Sequence, residues 1–294
     1  MGVVYSIIVS ILFSLYAIPR KWSKQNVVSY MFFLGLTFSA VSIVFFLCVN
    51  WTNFGYRENL FSSWHLLSAL VGVLWFFGGV FLNKAIDKIG ISKSGEWKNL
   101  QGPLGSLFML LFLGEYNSVN IPLTLAGMIL IFVSACVLTI EKDSSSKKDR
   151  TYGIAFACLS AVMFAIQTTL TKLLTNKGFI YSKTIYFALF VMITALVVYL
   201  VRYQKAEPLS WKNNDNKYPL IAGAIYGFAA IFNVLAYIYL AGSIAFSIIS
   251  LNSIWTILIG VFYFKEIDYK QNWLKILIGV VLAGLSIVCL VLAI

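Results

Sequence analysis

The run Ser94-Gly-Glu-Trp-Lys-Asn-Leu-Gln-Gly-Pro-Leu-Gly105 sets an acid, a base and two amides inside an otherwise apolar stretch. A charge at the centre of a bilayer costs about 2.5–3.5 kcal/mol on insertion scales and persists mainly where it faces a cavity or a partner. At a rise of about 1.5 Å per residue, Glu96 lies about 9 Å and Gln101 about 16 Å in from Gly90. Glu96 and Asn99 share one helix face, and Lys98 and Gln101 share roughly the other. Two readings stand. Glu96 and Asn99 line a pathway, or Glu96 and Lys98 each pair with a neighbouring helix or reach the membrane surface. Gly95, Gly102 and Pro103 add a further option, a local break, because a proline removes a backbone donor and clashes one turn back. Burial of a carboxyl group disfavours its charged form, so Glu96 is the expected site for loading and releasing a proton.

Other polar side chains sit at depth in apolar runs: Tyr16, Asn83, Gln167, Thr168, Asn233, Asn252 and Ser253. With Asn99 and Gln101 they make the candidate solute-binding set. Amides and hydroxyls both donate and accept, as a polyol requires. Trp75, Trp97 or Trp255 could stack on the apolar face of a sugar ring. The plainer reading of any one amide is an interhelical hydrogen bond, worth about 0.6 kcal/mol on average. Lys84, Asp87 and Lys88 read as an interfacial anchor. Glu115 and Glu266 close apolar runs and read as ion-pair or helix-start residues, and His65 beside Trp64 reads as an interface anchor. The chain has no phosphate-binding Gly-rich loop and hence no built-in ATP motor. No His, Asp or Cys cluster has metal-ligand spacing, so neither a metal nor a cofactor is expected. Cys48, Cys136, Cys158 and Cys289 all fall in apolar runs and read as small packed hydrophobes.

The elements that carry these residues follow from hydropathy. A spanning helix needs about 20 mostly apolar residues. Ten such runs occur, at roughly 2–19, 28–49, 64–86, 90–113, 119–140, 151–174, 180–201, 218–240, 243–264 and 270–293. Backbone polar groups in lipid must be satisfied within each segment, so the runs are predicted helices. The net charge of +11 is unevenly placed, which argues for membrane orientation and against nucleic acid. Loops after odd-numbered runs hold 17 of the 22 basic residues; the opposite side has Arg57, Lys172, Lys177 and Lys183, and Lys98 lies within a run. By the positive-inside rule the richer side is cytoplasmic and both termini face outward.

The chain also divides. The charged stretch Glu141–Arg150 separates residues 1–140 from 151–294, with five runs on each side. A shift of 151 positions superposes Gly72 on Gly223, Leu100 on Leu251, Gln101 on Asn252 and Glu115 on Glu266. One inserted residue later, Gly127, Ser134 and Leu138 meet Gly279, Ser286 and Leu290. An odd number of spans per half turns the second half upside down, a common plan in secondary transporters with a midplane site.

Three segments carry a family resemblance. Phe13-Ser-Leu-Tyr-Ala-Ile-Pro-Arg-Lys-Trp22 resembles the end of the first span in the glucose/ribose porter and L-rhamnose–proton symporter families of the drug/metabolite transporter superfamily. Gly72-Val-Leu-Trp75 through Gly78 resembles their third span, and Gly90-Ile-Ser-Lys-Ser94 with Gln101 and Gly114-Glu115 resembles their fourth. Glu96-Trp-Lys-Asn99 departs from that pattern, where relatives carry small or apolar residues. The resemblance implies a ten-helix carrier, often for sugars and often driven by protons. The expectation is therefore an all-α membrane protein of ten transmembrane helices, arranged as two inverted five-helix repeats. It is a multi-pass protein of the cell membrane and not an enzyme. Its partners are the lipid bilayer and a small polar solute, a monosaccharide first, with proton coupling open. The alternative is an exporter of amino acids, drugs or other metabolites from the same superfamily. Oligomeric state is not set by the sequence.

Overall fold

The computed structural model describes residues 1–52, 58–89, 91–138, 147–202, 209–263 and 269–294. Thirteen α-helices and no β-strand occur among the described residues. They are α1 (Gly2–Leu15), α2 (Ile18–Trp22), α3 (Val27–Thr52), α4 (His65–Ile89), α5 (Ile91–Lys98), α6 (Gln101–Phe112) and α7 (Ile121–Leu138). After the linker come α8 (Lys147–Asn176), α9 (Ser182–Arg202), α10 (Lys217–Tyr239), α11 (Gly242–Ile249), α12 (Asn252–Phe262) and α13 (Tyr269–Leu292). Seven helical stretches are long and apolar enough to cross a membrane, α1 and α2 counting together as Gly2–Trp22. The predicted spans 90–113, 119–140 and 243–264 fall instead on shorter helices: the pair α5 and α6, then α7, then the pair α11 and α12. Large apolar side chains such as Val44, Leu47, Ile129, Val197 and Val288 point outward, as a lipid-facing surface requires.

The two interrupted spans break at corresponding places. Helix α5 begins at Ile91 and α11 at Gly242; α6 begins at Gln101 and α12 at Asn252. Each pair of starts is 151 positions apart, the same shift that superposes the halves in sequence. The chemical cause differs. In the first half Pro103 has no N–H to offer the Asn99 carbonyl, which accepts from Gly102 N–H at 3.2 Å instead. In the second half Ser250 Oγ donates back to the Phe246 carbonyl at 2.8 Å, a competition that loosens a helix from within. Both chains cross the break through tight turns, Leu100 N–H to the Trp97 carbonyl at 3.3 Å and Leu251 N–H to the Ile248 carbonyl at 3.1 Å.

Helices from the two halves are interleaved. α4 packs along α8, α3 along α9, α7 along α13 and α1 along α10. Close approach depends on glycine. A Cβ at Gly72 would stand 2.5 Å from the Phe187 carbonyl oxygen, and one at Gly223 would stand 2.3 Å from that of Leu34. These are mates under the shift, and each seats its helix on the backbone of the other half. Gly127 lies against Ser286 and Leu290, while Ser134 Oγ donates to the Gly279 carbonyl at 2.6 Å, so α7 and α13 run antiparallel.

Loops add two straps. The Glu58 carboxylate accepts from Ile180, Tyr181 and Ser182 N–H at 3.1, 2.8 and 2.6 Å, which caps the start of α9 from a distant segment. At the other end of α9, Asp215 accepts from Lys24 N–H at 3.1 Å, and Gln25 Nε2 donates to Asn216 Oδ1 at 2.6 Å. Three expectations are corrected here. Lys172 and Lys183 are buried, 6% and 2% exposed, so they face the bundle interior and not an exposed loop. His65 is buried too; its Nε2 bonds the Asn59 carbonyl at 2.8 Å and its ring stacks on Tyr186 at 4.2 Å, so it holds the strap and does not anchor to headgroups. Cys48 is exposed on the outside of the bundle.

Candidate functional site

A cavity of about 70 Å³ lies at the centre of the bundle, where α1, α4, α8, α9 and α10 meet the two interrupted spans. Space of that size admits ordered water among polar groups. Both break points open onto it: Gln101, the first residue of α6, and Asn252, the first residue of α12. Each is nearly buried, 6% and 7% exposed. Asn252 is fixed through its backbone, since its carbonyl accepts from Ser14 Oγ at 2.7 Å and from Thr256 Oγ1 at 2.8 Å. The Gln101 amide makes no hydrogen bond among the described residues and is left to face the cavity.

Of the candidates drawn from sequence, Tyr16, Gln101, Gln167, Thr168, Asn233 and Asn252 are brought together here. Gln167 Nε2 donates to Thr171 Oγ1 at 3.1 Å, and Thr168 Oγ1 shares a 2.6 Å hydrogen bond with Tyr237 Oη. Asn233 keeps a buried Oδ1 with no hydrogen-bond donor, an acceptor a solute hydroxyl could satisfy. Asn83 and Asn99 do not line the cavity. Asn83 Nδ2 donates to the Gly79 carbonyl of its own helix at 2.8 Å, and Asn99 sits in the break itself. The side chains of Glu96 and Ser253 lie outside the described residues, although both positions are helical. Of the three candidate stacking residues Trp75 lines the cavity and Trp97 and Trp255 do not; Trp255 Nε1 donates to Ser10 Oγ at 3.0 Å.

The aromatic floor is built around Tyr226. Its ring lies 5.0 Å from that of Tyr16, edge-on, and 4.8 Å from that of Trp75. Phe13 stacks on it at 5.2 Å. Aromatic walls of this kind bury apolar faces while leaving phenol and indole edges for hydrogen bonds. Tyr226 is not in the candidate set drawn from sequence, yet the signal exists: it is the mate of Trp75 under the 151-residue shift, and the two rings meet each other.

Lysines complete the lining, and the candidate set omits them. Lys98 and Lys183 both face the cavity. Lys183 Nζ donates to Thr175 Oγ1 and to the Thr171 carbonyl, the latter at 3.2 Å. Lys172 lies just beyond, held by the Tyr237 and Leu240 carbonyls at 2.6 and 3.0 Å and standing 4.0 Å from Glu115. Glu115 itself accepts from Gly242 and Ser243 N–H, both at 2.7 Å, which is the helix-start role at the head of α11. No acidic side chain lines the cavity among the described residues.

Comparison with known proteins bears on this arrangement. A family described as "Sugar transport protein" matches residues 22–293. A curated protein named glucose uptake protein GlcU, from Staphylococcus xylosus, is 23% identical over 222 residues, covering 74% of each chain. A solved crystal structure superposes with a TM-score of 0.74 at 14% identity, over 98% of this chain and 96% of the other, a likeness of fold.

Proposed function

The chain belongs to the sugar transport protein family and is a multi-pass membrane protein; from that footing we propose that it is a secondary carrier that moves a monosaccharide across the cell membrane by alternating access. The carrying observation is the pair of matched helix breaks, each delivering an amide, Gln101 and Asn252, into one central cavity. Interrupted helices that meet at the midplane are how carriers present backbone and side-chain polar groups to a solute. The surrounding hydroxyls and amides suit a polyol, and Trp75 and Tyr226 offer faces for a ring.

In this reading each interrupted pair, α5 with α6 and α11 with α12, counts as one crossing. The total is then ten, in two inverted halves, 1–140 and 151–294, joined by the linker 141–150. Matched breaks, mated glycines and the antiparallel packing of α7 on α13 support it. The basic loops support a reading with both termini outside, because Lys172 and Lys183 are buried within the bundle and do not count as loop charges. The strap at Glu58 holds the head of α9, the strap at Asp215 ties the loop before α3 to the start of α10, and in this reading the two part in turn as solute enters and leaves.

The test is counterflow in proteoliposomes loaded with an unlabelled sugar, using a panel of labelled monosaccharides. Saturable exchange of at least one sugar is the expected result. A folded protein that exchanges none of them, but does exchange amino acids or a cationic drug, overturns the proposal.

A further inference from the structure

Among the described residues the cavity is lined by cations and by no acid. Among its described lining residues are Lys98 and Lys183, six uncharged amide or phenol side chains (Tyr16, Gln101, Gln167, Tyr226, Asn233, Asn252), and no carboxylate. The lysines are not equivalent. Lys183 spends its protons on Thr175 and Thr171 and interacts electrostatically with Glu58. Lys172 is tied to two carbonyls and lies near Glu115. Lys98 has neither hydrogen bond nor ion pair among the described residues; its Nζ stands 5.7 Å from the centre of the Phe164 ring and otherwise faces the cavity.

An unpaired ammonium withdrawn from bulk water is costly, and it is retained where something else brings the counter-charge. The fold itself does not demand a cation at this place. At the corresponding position before the second break stands Ile249, fully buried, and that break forms without any charge. Lys98 is the last residue of α5, whose carbonyl end gives the ammonium a partial counter-charge. That does not explain why the side chain faces the solute space.

We infer that the transported solute is an anionic monosaccharide, whose carboxylate or phosphate group pairs with Lys98 while its hydroxyls engage Gln101, Asn233 and Asn252. This inference rests on the carrier reading and narrows it to a substrate class. A charge-assisted contact to a single ammonium in a low-dielectric pocket gives strong selection for an anion over its neutral parent.

The experiment uses the full-length protein in proteoliposomes, with counterflow of glucose, glucuronate, gluconate and glucose 6-phosphate measured side by side. Exchange of an acid or the phosphate ester at least tenfold faster than glucose is expected, and which anion is preferred separates carboxylate from phosphate recognition. Lys98→Gln abolishes that preference and Lys98→Arg keeps it. Thermal shift gives a second readout that does not depend on either variant folding: the wild-type protein is stabilised by the anion and not by equimolar glucose. Preference for glucose by the wild-type protein, or an anion preference that survives Lys98→Gln, overturns this inference and leaves the carrier reading standing. Exchange of none of the four, nor of any other sugar, overturns both.

Discussion

The half-helices α5 and α11 occupy corresponding places before the two breaks, yet they are built of opposite material. Every residue of α11, Gly242 through Ile249, is buried. It is enclosed by α1, α6, α7 and α13, and its first two N–H groups are clamped by Glu115. Helix α5 packs on α4 and α8, carries Ser94, Gly95, Glu96 and Lys98, and leaves Gly95 in open space. The shift pairs Gly95 with Phe246 and Lys98 with Ile249. One member of the pair is a packed strut; the other keeps polar groups at the edge of the cavity. The break thus recurs 151 positions on, while the segment that leads into it differs between the two places.

Substitutions can break that contrast or sharpen it. The largest effect is expected at the strut. Glu115→Ala removes the acceptor from the head of α11 and leaves Lys172 without its acid, and should lower stability by about 3–5 kcal/mol, as breaking a buried ion pair does. Thermal and denaturant unfolding in detergent reads this; a change within error would mean that packing alone holds α11. Next comes the contact between the two interrupted spans. A Cβ at Gly102 would meet Ser250 Oγ at 2.4 Å and its Cβ at 2.8 Å, so Gly102→Ala should cost about 1–3 kcal/mol by overpacking. The cost should shrink in a Ser250→Gly background, and a double-mutant cycle measures the coupling. The smallest effect is on α5. Nothing lies within 4 Å of a Cβ at Gly95, so Gly95→Ala should stabilise by about 0.4–1 kcal/mol by stiffening the unfolded chain. Destabilisation there would show that α5 is packed as tightly as α11.

Hydropathy made the apolar segments legible and the polar run Ser94–Gly105 marked the richest of them, because a buried polar group stands out against lipid-soluble neighbours. It could not show how two segments were divided. Pro103 advertises a break in the first half, but the matching break at Ser250-Leu251 has no proline and arises from a serine turning back on its own helix. Lys172 and Lys183 were opaque for a related reason. Near the end of an apolar run a lysine ordinarily reaches the membrane surface, and only the neighbouring carbonyls and threonines show that these two turn inward. Of the candidate set, the midspan amides Gln101, Gln167, Asn233 and Asn252 reached the cavity, whereas Asn83 closed on its own helix. Tyr226 was readable only through the repeat, by carrying Trp75 forward to its mate.

The glycine seats have a mechanical consequence. Gly72 rests on the backbone beside Phe187, and Gly223 rests on the backbone beside Leu34. Each therefore keys a helix from one half of the chain to a helix from the other, with no side-chain cushion to slide on. The closely packed helix pairs in this molecule therefore cross the sequence midpoint, which falls at the charged stretch 141–150. A chain severed there would yield two pieces that must dock α4 on α8, α3 on α9, α7 on α13 and α1 on α10 to regain this packing.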